Sequence, residues 1–416
     1  MTPFRTPPRT IAELVASAGV TALFTMAYII YTGRILGPAE YADFAAGLSV
    51  IYFVGVALSP LTPSVSRLCA RYLARGDARG VAALRRRLTL AVGVAGSVTA
   101  VACVAGAPVI APALQFRSAR PLVLAFLIAV FYSLVSADRG VIHGLLLFRV
   151  HNVNTVFEAV IRCGVAAALF RWRATAASAL AAYLFALVAA EVLLALRLWT
   201  EWSHGAVNVD WSEVRKVFLP ITFLMVAVAA FQNSDMLVVK SAFPPAASGD
   251  YGAATALARA VGILFVPLYV VVSPMLSGLH ESGQPVFRIT LAFVGSFLGL
   301  VALPVIAIAG WSRPIVTLLY GSAFRDAAPL LLPLAGIAVL MYTTLMLSQT
   351  LITIADHAFL PIYAILALLQ IGLLLRFHAT FGQVFRVLYV IESAALVVLA
   401  ICFFASWIRQ GVRARC

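Results

Sequence analysis

Charge is scarce in this sequence, and acidic charge is scarcest: Asp and Glu together number 16 and Lys and Arg 30 in 416 residues, so charged residues make up 11% of the chain. A soluble domain carries about a quarter, so a chain whose main solvent is water is excluded. No long Gly/Ser- or Pro-rich linker divides the chain, which argues against a string of flexibly joined modules. No GxxxxGK[ST] loop is present, so any energy must come from ion gradients, membrane potential or substrate gradients rather than from a bound nucleotide. The five cysteines, Cys69, Cys103, Cys163, Cys402 and Cys416, have no metal-ligand spacing and serve as small apolar residues. Nothing in the sequence asks for a metal or a cofactor.

What the sequence has in excess is hydrocarbon. Residues of apolar type make up 63% of it and the mean hydropathy is +1.01. Apolar runs of about 20 residues, each long enough to cross a core of roughly 30 Å as a helix, recur from end to end. They predict about twelve spans, at 11–33, 41–66, 86–111, 121–147, 152–170, 175–198, 214–239, 251–279, 288–310, 328–354, 358–376 and 385–407. Barrel strands would be half that length. The first span lacks a small-residue cleavage site and reads as a retained helix.

A formal net charge of +14 could point to nucleic acid, but the positive residues are distributed by loop rather than along one face. The segment after the second span holds Arg67, Arg71, Arg75, Arg79, Arg85, Arg86 and Arg87, and the C-terminal tail holds Arg409, Arg413 and Arg415. The positive-inside rule makes both segments, and with them both termini, cytoplasmic, with Arg171 and Arg173 as exceptions on the other side. Trp172, Trp199, Trp202, Trp211, Trp311 and Trp407 fall at or near span ends, where interfacial anchors belong.

The chain also repeats itself. Phe116-Arg117-Ser118-Ala119-Arg120-Pro121-Leu122 recurs half a chain length later as Phe324-Arg325-Asp326-Ala327-Ala328-Pro329-Leu330. At nearly the same offset, Glu40-Tyr41-Ala42 matches Asp250-Tyr251-Gly252, and Pro63, Ser66 and Leu68 match Pro274, Ser277 and Leu279. The longest polar interruption, Glu201 to Lys216, marks the cut, giving halves of 1–205 and 206–416. Six spans per half is an even number, so the halves insert the same way round, as in transporters that rock one bundle against the other.

These features, with Leu36-Gly37-Pro38-Ala39-Glu40-Tyr41 and Phe44, Asn233-Ser234-Asp235 leading to Gly249-Asp250-Tyr251, Leu319-Tyr320-Gly321 with Phe324 and Pro329, and Ser348-Gln349, resemble the polysaccharide and lipid-linked oligosaccharide flippases. That family shares a superfamily with the MATE drug exporters. The resemblance implies an all-α membrane protein of two pseudo-symmetric six-helix bundles around a central cavity, in the inner (plasma) membrane. It also implies a lipid-linked oligosaccharide as substrate, with membrane lipids and the glycan polymerase or glycosyltransferases of the same pathway as partners. Nucleic acid has no place in this reading. One departure is that the residue after Asp235 is Met236 where the family often has Arg, so a cation there is not implied.

Ionisable residues inside spans cost about 2.5–3.5 kcal/mol each on insertion scales, so each needs a reason to be there. Glu158 and Arg162, four apart on the fifth span, either neutralise each other or let Arg162 exchange its carboxylate for a substrate phosphate. Asp138 and Arg139 point about 100° apart on the fourth and cannot form a same-face pair. Arg259 has no carboxylate near it in sequence and must pair with Asp235 or Glu392 on another helix or face the cavity. Asp235 closes a polar patch with Gln232, Asn233 and Ser234, suited to ion coupling or to bridging helices. Arg162, Arg259, Arg139 and Asn233 are thus the candidate head-group contacts, and Asp235, Glu158, Asp138 and Glu392 the coupling or structural charges. Pro60, Pro63, Pro267, Pro274, Pro304 and Pro361 are candidate kinks. A drug exporter of the related type would share the fold and use one titrating acid, for which Asp235 would serve. A membrane enzyme would display an outer loop or domain with catalytic carboxylates or histidines, and His143, His151, His204, His280, His357 and His378 are scattered instead.

Overall fold

In a computed structural model, residues 8–58, 61–198, 211–260, 286–354 and 359–413 are described, with 262, 269, 272, 275, 276, 278, 279, 282 and 284 between them. The described residues hold helices and no strand, as backbone in hydrocarbon must satisfy its own hydrogen bonds. In chain order they are α1 (Pro8–Leu58), α2 (Leu61–Ala74), α3 (Ala78–Ala113), α4 (Arg120–Gly144), α5 (Phe148–Phe170) and α6 (Ala176–Arg197). There follow α7 (Trp211–Ala242), α8 (Pro245–Arg259), α9 (Phe287–Tyr320), α10 (Ala328–Thr353), α11 (Leu360–Arg376) and α12 (Phe381–Arg413).

Eight helical stretches among the described residues are long and apolar enough to cross a membrane. One of them lies in α1, whose 51 residues run for about 75 Å at 1.5 Å per residue, enough for two crossings. The break comes at Gly37, whose φ of 70° lies in the left-handed region where only glycine rests without strain, followed by Pro38. The first predicted span falls in the first arm of α1, and the second, 41–66, begins in the other arm and runs past its end at Leu58 into α2. In α9 the helix breaks at Trp311 (φ −133°, ψ 28°). Pro314 lies just beyond, and it withholds the N–H that the carbonyl of Gly310 would need. Pro304, a candidate kink, sits in the same helix without a break, Pro63 begins α2, and Pro361 lies in the first turn of α11. Pro60, Pro267 and Pro274 lie outside the described residues, as do Trp199, Trp202, His204, His280, His357 and Arg415.

The chain forms two compact units, Met1–Ala229 and Ala230–Cys416. They divide inside α7, whereas the cut expected between 205 and 206 lies outside the described residues. In unit 1, α4 is the hub and packs against α1, α2, α3, α5 and α6. In unit 2, α10 packs against α8, α9 and α12. These two helices follow the two copies of the repeated heptapeptide, and their spans are the most enclosed of the eight, with 56% and 61% of residues buried. The repeat therefore marks the helix at the centre of each unit. Its aromatic residues are plugs: Phe116 and Phe324 are buried, and so are Tyr41 and Tyr251 from the second matching pair. At the other extreme α3 buries only 6% of its span and exposes Leu90, Val94, Val98 and Val101, three or four residues apart, as a lipid-facing stripe.

The arginine-rich segment after the second span is not a loop. Arg67 and Arg71 lie on α2, and Arg79, Arg85, Arg86 and Arg87 on the first turns of α3, whose N-terminus is capped by Asp77 accepting from the Gly80 N–H at 2.8 Å. Helix α2 reaches α4 through Gly140-Val-Ile-His-Gly144, two glycines four apart that let backbones approach. A Cβ at Gly140 would stand 2.8 Å from the Thr62 carbonyl oxygen, and one at Gly144 would stand 3.0 Å from that of Ser66. Gly164 on α5 meets nothing within 4 Å. We expect Gly140→Leu and Gly144→Leu to destabilise unit 1 by about 1–3 kcal/mol through overpacking. Gly164→Leu should be neutral, and thermal midpoints of the detergent-purified protein give the comparison.

Candidate functional site

Helix α4 carries Asp138 and Arg139 in consecutive positions, and their side chains leave the helix toward different neighbours, as the expected 100° separation requires. Asp138 turns to α3, where Arg85 grips it with two parallel bonds, Nε to Oδ1 at 3.1 Å and Nη2 to Oδ2 at 2.8 Å. Arg85 also donates from Nη1 to the Leu198 carbonyl at 3.0 Å. Both side chains are buried, so Arg85, expected as a cytoplasmic loop charge, is instead an internal one. An Arg–carboxylate fork of this kind is a strong, directional pair.

Arg139 turns to α5. Its Nη2 lies 2.7 Å from Glu158 Oε2 and 2.9 Å from Asn154 Oδ1, and Asn154 in turn donates to the Ala190 carbonyl on α6 at 2.8 Å. Glu158 therefore belongs first to Arg139. The i,i+4 pair expected between Glu158 and Arg162 is looser, at 3.8 Å. Arg162 is only 4% exposed, yet it makes one hydrogen bond, Nη2 to Thr25 Oγ1 at 3.2 Å, and its buried Nε has no partner. What holds it is aromatic: its Cζ lies 4.3 Å from the ring centre of Tyr183 and 5.4 Å from that of Tyr28. The Tyr28 hydroxyl is itself fixed, donating to the Ala179 carbonyl at 2.9 Å. A guanidinium over two ring faces is stabilised by about 0.5–2 kcal/mol per face, and its five donors stay largely unspent.

Unit 2 holds a second cluster. Arg259, at the end of α8, places Nη2 3.0 Å from both carboxylate oxygens of Asp235 on α7, one of the two pairings expected for it. Tyr251 donates to Asp235 Oδ2 at 2.8 Å, so the matched tyrosine of the second half anchors the acid. The Arg259 side chain is 26% exposed against 4% for Asp235. Glu392, on α12, is 1% exposed, and its Oε2 has no hydrogen-bond partner. Asp235, Arg259, Glu392 and Thr255 line one narrow crevice with Phe231 and Met341. Asn233 is buried, while Ser234 is bridged by Gln370 Nε2 of α11 at 3.1 Å, a helix-to-helix contact within the polar patch.

Several participants escape a reading of spacing alone, Asn154 among them. Arg85 hides among loop-like arginines, and Tyr28, Tyr183 and Thr25 look like ordinary apolar or interfacial residues. Glu191, on α6, is a further intramembrane carboxylate, and its buried Oε2 has no partner. It follows the long apolar run of α6 and could have been found by the cost rule that singled out the others. Groups of three or more His, Cys, Asp or Glu able to hold a metal are absent among the described residues.

The folds of known transporters match this arrangement. An inward-facing MATE-family multidrug-resistance transporter of the MOP superfamily aligns with a TM-score of 0.79 at 14% identity, covering 95% of this chain and 96% of that one. An outward-facing MATE transporter of that superfamily aligns at 0.68 with 13% identity, covering 98% and 97%. A MOP-superfamily transporter from Pyrococcus furiosus, described as having a binding pocket of reversed polarity, aligns at 0.61 with 14% identity, covering 98% and 96%. No curated protein matches the sequence. A family model described as polysaccharide biosynthesis protein matches residues 9–280, which is well over half of the chain. The chain is accordingly a multi-pass membrane protein of the polysaccharide biosynthesis protein family, with the MATE-like fold of the MOP-superfamily transporters.

Proposed function

We propose that the protein moves a polyprenyl-diphosphate-linked oligosaccharide from the cytoplasmic to the outer leaflet of the inner (plasma) membrane by alternating access, with both termini cytoplasmic. The carrying observation is Arg162: a buried cation whose donors are mostly unspent and whose nearest carboxylate, at 3.8 Å, is engaged by Arg139 at 2.7 Å. A sugar diphosphate cannot shed its hydration without compensating bonds, and a guanidinium offers them as a planar fork. In this reading Arg162 accepts a phosphate in place of Glu158. Arg139, itself held by Asn154, keeps Glu158 engaged as the exchange proceeds, and Arg259 and Asn233 are further candidate head-group contacts. The Arg85–Asp138 pair, with its donors committed, is structural. The family's own description, polysaccharide biosynthesis, favours a glycan-bearing substrate.

A second reading, a MATE-like cation-coupled exporter of drugs or small molecules, draws on the fold likeness and on Glu392. A carboxylate that is 1% exposed, with an unpartnered oxygen beside the Asp235–Arg259 pair, is suited to exchanging a proton or a monovalent cation. Coupling of this kind is compatible with a lipid-linked substrate as well.

Three outcomes are expected. Arg162→Gln, assayed for glycan assembly at matched membrane levels, loses about tenfold or more in rate, the equivalent of one charge-assisted bond of about 1.5–3 kcal/mol. Wild-type rates from it would remove Arg162 from the substrate path. Arg85→Gln instead strands the buried Asp138 and costs about 3–5 kcal/mol of stability. It should therefore lower the yield of folded protein while leaving the rate per folded molecule near normal, as read by fluorescence-detected size exclusion alongside transport. Glu392→Gln should make transport in vesicles indifferent to an imposed proton or sodium gradient, and an unchanged response would exclude this residue from coupling.

A further inference from the structure

One basin shares no lining residue with either ion-pair network. It sits at the end of unit 1 that holds the α3–α4 and α5–α6 connections, beside the Gly37 break in α1, and has a volume of about 620 Å³. Its charged lining is Arg117, Arg120, Arg173, Glu40 and Asp43, set against an apolar wall that includes Leu124 and Leu169.

The two carboxylates are used in building the basin. Glu40 accepts from Arg117 Nη1 at 3.0 Å through Oε1 and from the Ala176 N–H at 3.1 Å through Oε2, and Asp43 Oδ2 accepts the Arg117 N–H at 3.2 Å. This ties α1 to both connections and commits Arg117. The guanidinium groups of Arg120, at the start of α4, and Arg173, in the α5–α6 connection, are exposed and make no hydrogen bond or ion pair with any described residue. In the proposed orientation this is the outer end, where arginine is disfavoured in short loops. The topological exception at Arg173 and the free guanidinium are thus one residue. Trp172 beside it is 90% exposed, as a side chain seated among lipid head groups would be.

We infer that this basin binds the phosphate of a membrane lipid. Arg120 and Arg173 take the phosphate oxygens, and the lipid chain lies along the wall of Leu124 and Leu169. Two planar cations lining one basin suit a tetrahedral anion, and the apolar wall beside them suits an anion attached to a hydrocarbon chain rather than a free one. The phosphate can come from an anionic phospholipid or from a phosphorylated polyprenol. The inference needs the membrane setting but not the transport mechanism, so it is tested by binding rather than by flux.

The test is titration of the full-length, detergent-purified protein with dioctanoyl phosphatidylglycerol, a short-chain polyprenyl phosphate and, as the phosphate-free reference, dioctanoylglycerol. Both phosphate lipids should bind more tightly than the reference. Arg120→Gln/Arg173→Gln should weaken both by about tenfold, and Arg149→Gln, on an exposed residue at the start of α5, should change nothing. A preference for polyprenyl phosphate supports the site with the cargo as its source, and equal affinities support it with the surrounding phospholipid as its source. Undiminished binding by the doubly substituted protein overturns the inference. Should that variant fail to fold, a photoreactive phosphatidylglycerol on the wild-type chain decides: crosslinks within 117–124 and 169–178 support the site, and crosslinks confined to other segments overturn it.

Discussion

A charge placed in hydrocarbon has to find its counter-charge inside the protein, and the interior of this molecule is arranged around that requirement. In unit 1, the acids of α4 and α5 are answered by arginines of α3, α4 and α5, and in unit 2, Asp235 is answered by Arg259. The pairs differ in how fully their hydrogen-bonding capacity is used. Arg85 is gripped on several sides, Arg139 shares a carboxylate and an amide, and Arg162 rests on ring faces with one hydroxyl for company. The three neighbouring arginines thus form a gradient of commitment, although all are the same residue type in a low-dielectric setting.

The two units solve the same packing problem with related sequences. Each has a central helix introduced by the Phe-Arg heptapeptide, and each buries the aromatic of that heptapeptide together with a matching tyrosine. Both rings pack on phenylalanine, Tyr41 on Phe44 at 5.6 Å and Tyr251 on Phe381 at 5.8 Å, and Tyr251 also sends its hydroxyl to Asp235. A shared architecture therefore carries an arginine-rich interior in one unit and an acid-rich pocket with a single arginine in the other.

The fold was legible because hydrophobic length is a strong signal: α3, α4, α5, α6, α9, α10 and α12 follow apolar runs that water would not tolerate, and the repeat exposed the doubling. The first span was also found, in the first arm of α1, while the second was drawn too long, since α1 ends at Leu58 and α2 begins at Leu61. The site was legible only in outline. The cost of intramembrane charge identified Arg139, Glu158, Arg162, Asp235, Arg259 and Glu392, since that cost depends on residue type and depth alone. Their pairing depends on which helix lies next to which, and sequence spacing is blind to this. Glu158 was matched to Arg162 by the i,i+4 rule, while tertiary packing brought Arg139 closer. Arg85 was misread because the helix that carries it starts at Ala78, several residues ahead of the apolar run that announced it.

The back-to-back placement of Asp138 and Arg139 has a mechanical side. One side chain is tethered to α3 and the other to α5, so any rolling of α4 about its own axis that slackens one tether strains the other. With Gly140 and Gly144 already seated against the backbone of α2, the helix can neither roll nor slide without breaking close contacts on three sides. Helix α4 is thereby keyed to α2, α3 and α5 at one level of the unit.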